Sequence, residues 1–307
     1  MVDITHKKNT LRIATAQALV RVSKKSTIEA IQKSGVPKGD VFEMSRAAGL
    51  LGVKKTPDIL PDCHPLPIEY AGFDFEIKEL EIKISCTLKT IYKTGVEVEA
   101  MHGASIVALN MYDMLKPLDK GVEIGSIKLI TKKGGKSNIP VVNAPVSAAV
   151  IVCSDSISSG TGEDRAGKEV IKMLKKIDVE TKTYRVIPDE IEVIQKQLKS
   201  QLNEETALII FVGGTGLSPR DQTPEAISPL LEKRIPGLEE AIRKYGQDRT
   251  PYAGLSRSVV GMIKNSLILA IPGSTQGALE SLHAIFPEAL HLFDIITGAK
   301  HNDGKNN

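Results

Sequence analysis

Three continuous apolar runs in the second half of the chain constrain its fold most strongly. They read AAVIVC (148–153), TALIIFV (206–212) and SLILAI (266–271), and each stops at small or polar residues. A strand that is apolar on both faces is typical of a parallel sheet covered by helices on both sides. Amphipathic segments such as GKEVIKMLKKI and EIEVIQKQLKSQL lie between these runs, and a final helix is predicted over QGALESLHAIFPEALHLFDIITG. This βαβα succession predicts a doubly wound, three-layer α/β domain.

The first half of the chain has a different periodicity. In residues 65–92, apolar residues alternate with polar ones, as expected for two or more antiparallel strands. The run VEAMHGASIVALNMYDMLKPL predicts a helix that ends near Pro117, and IGSIKLITKKGG predicts a further strand. Residues 2–18 are polar with little periodicity, so we interpret them as an extended arm. The mixture predicts an α+β domain with helices on one face of an antiparallel sheet.

The change of pattern falls in Lys132–Ser147, which is rich in glycine, lysine, proline and small residues and is the best linker candidate. We therefore divide the 307 residues into domains at 1–140 and 146–301.

Composition and charge exclude several classes of protein. Aromatic residues make up 4% of the chain, without tryptophan, and the net charge is only +3, so neither stacking platforms nor a basic stripe for nucleic acid is expected. The three cysteines form no CxxC pair, as in a reducing compartment. No apolar run is long enough for a membrane span, and MVDITHKK has no signal-peptide core. These features predict a cytoplasmic protein without membrane or nucleic-acid partners.

Three predicted strands of the second domain end in loops suited to anions. The loops are CSDSISSGTGEDRAGK (153–168), FVGGTGLSPRDQTPEA (211–226) and AIPGSTQGAL (270–279). Glycine lets the backbone approach a ligand, and a following helix presents free N–H groups. Ligands of open α/β sheets lie beyond the carboxyl ends of the strands, so the three loops together indicate one site.

One of these loops has the GxxxxGK spacing of a phosphate-binding P-loop at 162–168. The next residue is Glu169 instead of Ser or Thr, and its charge is wrong for phosphates, so we disfavour a kinase-like enzyme. Asp189 and Asp221 follow predicted strands and suit Mg²⁺, which prefers oxygen ligands shared with substrate phosphates. Asp189 is equally well placed to cap the following helix.

Lysines and carboxylates dominate the candidate chemistry of the first domain. Glu97 and Glu99 are two residues apart, so in a strand they would share one face. Asp113 and Lys116 share one face of the predicted helix. A lysine beside a carboxylate can move protons once burial lowers its pKa. The alternative is a surface ion pair that contributes little.

Other polar residues of this domain have open interpretations. His64 follows Cys63 in a proline-rich turn and serves either to hydrogen-bond a ligand or as a packed structural histidine. No second Cys/His pair stands at zinc spacing, so no metal is expected here. The basic glycine stretch that contains Lys136 either folds over a phosphate or acts as a flexible linker.

The motifs of the first domain resemble those of the cyclic pyranopterin monophosphate synthase family, molybdenum cofactor biosynthesis protein C. These motifs are MVDITHK, PKGDVF, DILPDCHPLP, KTGVEVEA, YDMLK and KKGGKS, and they span residues 1–138. The resemblance implies a ferredoxin-like α+β fold and a homohexamer that needs no cofactor. It also implies rearrangement of 3′,8-cyclo-7,8-dihydro-GTP to cyclic pyranopterin monophosphate with loss of pyrophosphate.

The same resemblance assigns roles to individual residues. Lys38, Asp113 and Lys116 would form the acid–base centre. The substrate-binding residues implied are Lys54, His64, Glu97, Glu99 and Lys136. The chain departs from the family at Lys55, where arginine is usual, and at His102, where relatives carry small residues.

The second domain resembles the molybdopterin adenylyltransferase family, molybdenum cofactor biosynthesis protein B/Mog, over residues 146–301. The motifs that carry this are CSDSISSGTGEDRAGK, VGGTGLSPRDQTPEA, GLSRSVVGM and IPGSTQGALESL. The resemblance implies transfer of AMP from Mg-ATP to molybdopterin, with Asp189 and Asp221 as catalytic residues that also bind Mg²⁺. Nucleotide-site residues would be Gly213, Gly214, Thr215 and Gly216, and the residues near the pterin phosphate would be Ser256, Arg257, Pro272, Gly273 and Ser274.

Together these interpretations predict a bifunctional enzyme of molybdenum cofactor synthesis with pterin and nucleotide substrates. A competing class is a scaffold whose second domain binds molybdopterin without catalysis. The second family is commonly trimeric, so a hexamer built as a trimer of dimers would satisfy both domains.

Overall fold

The computed structural model describes residues 1–135 and 146–296. The chain divides into two compact units, Met1–Ile139 and Pro140–Asn307, each with its own hydrophobic core. Most of the predicted linker, and Lys136 within it, lies outside the described residues. Of the described residues in that segment, Lys132 and Lys133 are the last residues of one strand, and Val146 is the first residue of the next.

The first unit is a four-stranded sheet with helices on one face, as the α+β prediction requires. Its elements are β1 (Thr10–Arg21), α1 (Lys25–Gln32), α2 (Val41–Lys54), α3 (Thr56–Ile59), β2 (Tyr70–Lys78), β3 (Glu81–Tyr92), α4 (Glu97–Leu115) and β4 (Glu123–Lys133). The strand order is β2-β3-β1-β4, and every neighbouring pair is antiparallel.

The interpretation of residues 2–18 as an extended arm was wrong for residues 10–18, because Thr10–Arg21 is a central strand paired on both sides. Its buried face consists of Ala14, Ala16, Ala18 and Val20. Alanine gives little hydrophobic contrast with the threonine and glutamine between them, so the period of two was too faint to detect.

Helix α4 lies close to α2 and to β3 because Gly103 occupies the contact. A Cβ atom added there would meet the side chains of Val53 on α2 and Cys86 on β3. This approach brings the end of α4 near the segment that precedes α2, where Lys38 stands.

The second unit is a six-stranded sheet between two helical layers. Its elements are β5 (Val146–Cys153), α5 (Asp155–Ser158), α6 (Ala166–Lys175), β6 (Val179–Ile187), α7 (Ile191–Asn203), β7 (Leu208–Val212), α8 (Thr223–Ile227), β8 (Lys233–Arg234), α9 (Pro236–Gln247), β9 (Val259–Ile263), β10 (Ser266–Ile271), α10 (Thr275–Ile285) and α11 (His291–Ile296). The α/β prediction is confirmed: α6, α9 and α10 cover one face, and α7 and α8 cover the other.

The sheet is mixed and not wholly parallel. Its order is β6-β5-β7-β10-β9-β8, with β6, β5, β7 and β10 parallel and β9 antiparallel to both of its neighbours. The predicted final helix is also divided, since α10 ends at Ile285 and α11 begins at His291. Pro287 lies between them and cannot donate the backbone hydrogen bond that a continuous helix needs. In the described ranges, no helix has the length and apolarity needed to cross a bilayer.

Buried Asp119 ties the start of α1 to the turn after α4. Its carboxylate accepts hydrogen bonds from Ser23 N at 2.7 Å, Ser23 Oγ at 2.5 Å, Lys24 N at 3.2 Å, Thr27 Oγ1 at 3.1 Å and Gly121 N at 2.9 Å. Burial alone would raise the pKa of this carboxyl group, but the donors outweigh it and lower the pKa from 3.8 to about 2.

Asp119→Asn is expected to lower the free energy of unfolding at pH 7 by about 2 kcal/mol, because an amide cannot accept all these bonds. The folded pKa lies below the unfolded value of 3.8, so the contribution is present above pH 4 and lost as the pH falls toward 2. Urea denaturation of the full chain at several pH values measures this. A variant as stable as the wild type at pH 7 would contradict the prediction.

Candidate active sites

The first unit brings together Lys38, Asp113 and Lys116. Asp113 Oδ2 accepts from Lys38 Nζ at 2.6 Å, and Asp113 Oδ1 lies 2.7 Å from Lys116 Nζ. Asp113 stands in the last turn of α4, whereas Lys38 comes from the loop before α2. A single carboxylate therefore holds two ammonium groups side by side, both about half exposed to an incoming ligand.

The pKa values of this cluster differ from the sequence-based expectation. Hydrogen bonds from Lys116 and Lys38 lower the pKa of Asp113 to about 2, and Asp113 raises the pKa of Lys116. The expected burial that would lower a lysine pKa is absent at Lys116, since its side chain is 51% exposed. The cluster presents positive charge, which suits a polyphosphate, and a proton donor more readily than a base.

Glu97 and Glu99 do not share a face. Both lie in the first turn of α4, where residues two apart point in different directions, so the strand interpretation was wrong. Glu97 Oε1 lies 3.5 Å from Lys132 Nζ on β4. Glu99 is buried and lines a cavity of about 200 Å³ together with Lys54. Burial raises the pKa of Glu99, so it holds a proton more readily than an exposed carboxyl group.

Two histidines of the first unit have identifiable partners. His64 Nε2 lies 2.9 Å from the carbonyl oxygen of Val2, so this ring fastens the amino-terminal segment. His102 Nδ1 lies 3.0 Å from Thr56 Oγ1, across the contact between α3 and α4. Neither belongs to a cluster that could hold a metal, since residues 1–135 and 146–296 contain no group of three or more suitable side chains.

The second unit has a cavity of about 910 Å³ at the carboxyl ends of β5, β7 and β10. The three predicted loops meet there. Predicted site residues that line it are Asp189, Gly213, Gly214, Thr215, Gly216, Asp221, Ser256, Pro272, Gly273 and Ser274. Lys168, the lysine of the P-loop-like motif at 162–168, does not line this cavity. Its Nζ lies 3.2 Å from Glu163 Oε1.

The glycine loop has a backbone that other residues adopt only with strain. Gly213 and Gly214 have φ values of +112° and +63°. A Cβ at Gly213 would overlap the carbonyl oxygen of Cys153, and one at Gly214 would overlap Asp189 and Thr223. The loop therefore passes directly over the end of β5 and against the buried carboxylate.

Asp189 is buried beneath this loop and does not cap α7. The N-cap of that helix is Glu190, whose side chain makes no capping bond. Asp189 Oδ1 instead accepts from Gln222 N at 3.3 Å and Thr223 Oγ1 at 3.2 Å, which removes the capping alternative. Burial raises the pKa of Asp189 and outweighs these bonds, and the nearby charges of Asp221 and Asp155 act in the same direction.

Asp155 and Arg220 line the same cavity and were missed by the sequence analysis. Arg220 Nε and Nη2 donate to Asp155 Oδ2 at 2.9 and 2.7 Å, and Asp155 Oδ1 accepts from Asp189 N at 3.1 Å. The pair joins the loops after β5 and β7 to the end of β6. Both residues stand inside the quoted loop motifs, but their pairing over 65 positions has no local signal.

Arg257 supports the glycine loop from outside the cavity lining. Its guanidinium group donates to Gly216 O at 2.8 Å and Asp221 O at 2.7 Å and pairs with Glu225. Its contact with a pterin phosphate stays a prediction. Asp221 itself lies at the cavity, where its Oδ2 accepts from Ser218 N at 2.9 Å.

The donor set at this cavity fits Mg²⁺ that is shared with a phosphate ligand. Asp189 and Asp221 are the implied ligands, and both line the cavity. Mg²⁺ often binds through one or two carboxylates and completes its shell with substrate phosphates and water. Two carboxylates at a phosphate-sized loop match that pattern.

The two units thus define a class of protein: a two-unit chain with one lysine–carboxylate cluster and one cavity at the carboxyl ends of parallel strands. Residues 1–135 match the model of the MoaC family, and residues 149–291 match the model described as a probable molybdopterin binding domain. The chain belongs to the family of molybdenum cofactor biosynthesis bifunctional proteins, as the following relatives establish.

The molybdenum cofactor biosynthesis bifunctional protein of Chlorobaculum tepidum is 35% identical over 301 residues, which cover 98% of this chain and 96% of that protein. The protein of the same name from Synechococcus elongatus is 36% identical over 319 residues, which cover 99% of this chain and 100% of that protein. The cyclic pyranopterin monophosphate synthase of Pelobacter propionicus is 46% identical over 141 residues, which cover 45% of this chain and 88% of that enzyme.

Gly214→Ala is expected to lower the free energy of unfolding of the full chain by about 2 kcal/mol or more, because the new methyl group strains the backbone and displaces Asp189. Gly237→Ala is the matched control, since nothing lies within 4 Å of a Cβ at that helical position. Thermal denaturation of both variants measures the difference. Equal melting temperatures would contradict the described conformation of the loop.

Proposed function

We propose that the first unit converts 3′,8-cyclo-7,8-dihydro-GTP to cyclic pyranopterin monophosphate and pyrophosphate. The Lys38–Asp113–Lys116 cluster is the observation that carries this proposal, together with the family of the chain. Two ammonium groups on one carboxylate, at 2.6 and 2.7 Å, stabilise the negative charge that develops as pyrophosphate leaves. The order of strands and helices in this unit also supports the ferredoxin-like assignment.

The remaining first-unit residues bind the substrate in this proposal. Lys54 and Glu99 line one cavity, where Glu99 receives hydrogen bonds from the purine-derived ring and Lys54 contacts an oxygen. Glu97, His64 and Lys136 stay predicted substrate-binding residues. Lys116 donates a proton to the rearranging ring, and Asp113 holds its ammonium group in place.

Lys38→Ala and Lys116→Ala are each expected to reduce product formation by about 10²-fold or more, because each removes a positioned charge and a proton donor. Mass analysis of the products formed by the purified full chain measures this. Lys33→Ala is the control, since Lys33 is exposed and its ion pair is with Glu29, at 3.6 Å and outside the cluster. Near-normal turnover in both cluster variants would overturn the assignment.

We propose that the second unit transfers AMP from Mg-ATP to molybdopterin. A phosphate oxygen of molybdopterin attacks the α-phosphorus of ATP, and the bond to the β-phosphate breaks to release pyrophosphate. The observation that carries this is the convergence of the glycine loop, Asp189 and Asp221 on one cavity. Bound Mg²⁺ would neutralise the phosphate oxygens during transfer.

The chain itself positions the reactants in this proposal. The Gly213–Gly216 loop lets the nucleotide phosphates approach the backbone, and the amino terminus of α10, capped by Ser274, faces the same cavity and attracts an anion. Asp189 and Asp221 would hold the metal. Arg220, fixed by Asp155, places a positive charge at the cavity edge.

Asp221→Asn is expected to reduce formation of adenylylated molybdopterin by about 10²-fold while molybdopterin still binds, because an amide is a weaker ligand for Mg²⁺. Glu180→Gln, at an exposed position on β6, is the control. If wild-type protein forms no adenylylated product with Mg-ATP yet binds molybdopterin, the second unit is a binding module without catalysis.

We also propose a homo-oligomer, a hexamer arranged as a trimer of dimers, because the two families imply a hexamer and a trimer. Light scattering of the full chain is expected to give six copies. A monomer in solution would contradict this proposal.

A further inference from the structure

The junction between α2 and α3 forms part of the first-unit cavity of about 200 Å³. Val53, Lys54 and Pro57 line the cavity from this junction, and Glu99 lines it from the first turn of α4. The two candidate substrate-binding groups, an ammonium and a carboxyl, therefore stand on different segments. Their spacing depends on how the junction is fastened to α4.

The junction and α4 pack closely. A Cβ atom added at Gly52 would lie 2.7 Å from Ile106 Cγ1, and one added at Gly103 would lie 2.5 Å from Val53 Cγ2. These apolar contacts set how near the two segments come, but hydrophobic contacts are not directional. A hydrogen bond depends on angle as well as distance, so it restricts the orientation of the junction further.

His102 on α4 makes such a bond to the junction. Its Nδ1 lies 3.0 Å from Oγ1 of Thr56, which is the first residue of α3 and is fully buried. Thr56 Oγ1 donates its single proton toward Val53 O at 3.0 Å and Gly52 O at 3.2 Å. Because a carbonyl oxygen only accepts, the ring nitrogen must be the donor to Thr56. The bonds thus run from α4 through Thr56 to the last turn of α2.

A second contact fastens the other end of the same segment to α4. Leu60 N donates to Thr56 O and Cys63 N donates to Leu60 O, each at 3.0 Å, so backbone bonds continue along the segment. Cys63 Sγ donates to Glu99 Oε1 at 3.9 Å. Glu99 and His102 are three residues apart on α4 and share a face. One face of α4 therefore holds both ends of the segment, with His102 at the end that adjoins α2.

We propose that His102 is a positioning residue for the first-unit reaction. Its bond to Thr56 fixes the α2–α3 junction, and the junction places Lys54 in the cavity that Glu99 lines. Asp113 of the acid–base cluster lies about 16 Å farther along α4, at ~1.5 Å per residue. Loss of the bond therefore weakens substrate binding and leaves the chemical step nearly unchanged. This inference rests on the function proposed for the first unit.

His102→Ala in the full chain is expected to raise the KM for 3′,8-cyclo-7,8-dihydro-GTP about tenfold, with kcat changed less than about twofold. His102→Asn is expected to keep a KM near that of the wild type, because its amide nitrogen takes the place of Nδ1 and donates to Thr56. Ser105→Ala is the matched control, since Ser105 Oγ donates to Met101 O at 2.7 Å, within α4. An unchanged KM in His102→Ala, or equal KM values for the Ala and Asn variants, would overturn the inference.

Thr56→Val tests the other partner of the bond, because it removes the hydroxyl group with little change of shape. It is expected to raise KM by about tenfold or more, and the double variant with His102→Ala is expected to have the same KM as Thr56→Val alone. Both substitutions remove one shared bond. A KM effect that multiplies in the double variant refutes the coupling between the two side chains.

Hydrogen exchange of the amides in residues 54–63 tests the contact without the reaction. Exchange there is expected to be about tenfold faster in His102→Ala than in the wild type and unchanged in Ser105→Ala. Unchanged exchange in His102→Ala refutes the role of His102, whether or not the chain forms product. A wild-type chain that forms no cyclic pyranopterin monophosphate refutes the proposed reaction, and faster exchange in His102→Ala then still shows that His102 holds the junction.

Discussion

Both candidate sites depend on close packing of the backbone at glycine residues, which have no side chain to keep neighbouring segments apart. In the first unit, Gly103 lets α4 pack against α2 and β3, and Asp113 thereby reaches Lys38 at 2.6 Å. In the second unit, Gly213 passes over the end of β5, and Gly214 lies on Asp189. Packed interiors accommodate little extra volume, so a methyl group at any of these positions displaces catalytic candidates along with the backbone.

The electrostatic conditions of the two sites are opposite. The ammonium groups around Asp113 are half exposed, and their hydrogen bonds lower the pKa of that carboxyl group to about 2. Asp189 is buried, so its pKa is raised even though two groups donate to it. The first site therefore presents positive charge directly, whereas the second presents carboxylates, and in the proposed reaction a cation would have to bring a polyphosphate near them.

Some errors of the sequence analysis have specific physical causes. Glu97 and Glu99 follow a segment in which apolar and polar residues alternate, so they were predicted to continue a strand with both side chains on one face. The helix α4 in fact begins at Glu97 itself. The alanine-rich face of β1 hid a central strand. Strand β9 was missed because it is only five residues long, and its sequence, VVGMI, shows no alternation of polar and apolar residues. Its antiparallel pairing with β10 depends on the neighbouring strands and cannot be detected in so short a segment.

The sequence alone determined the two halves of the chain, the α+β and α/β classes, and the loops in which the candidate site residues stand. These follow from hydrophobic period and from glycine placement, which are local properties. Only the tertiary structure decided which residues meet: Asp155 with Arg220 across 65 positions, Arg257 behind the glycine loop, and His102 with Thr56. Such pairings arise from how helices and strands pack, and contacts between distant segments leave no pattern in either segment by itself.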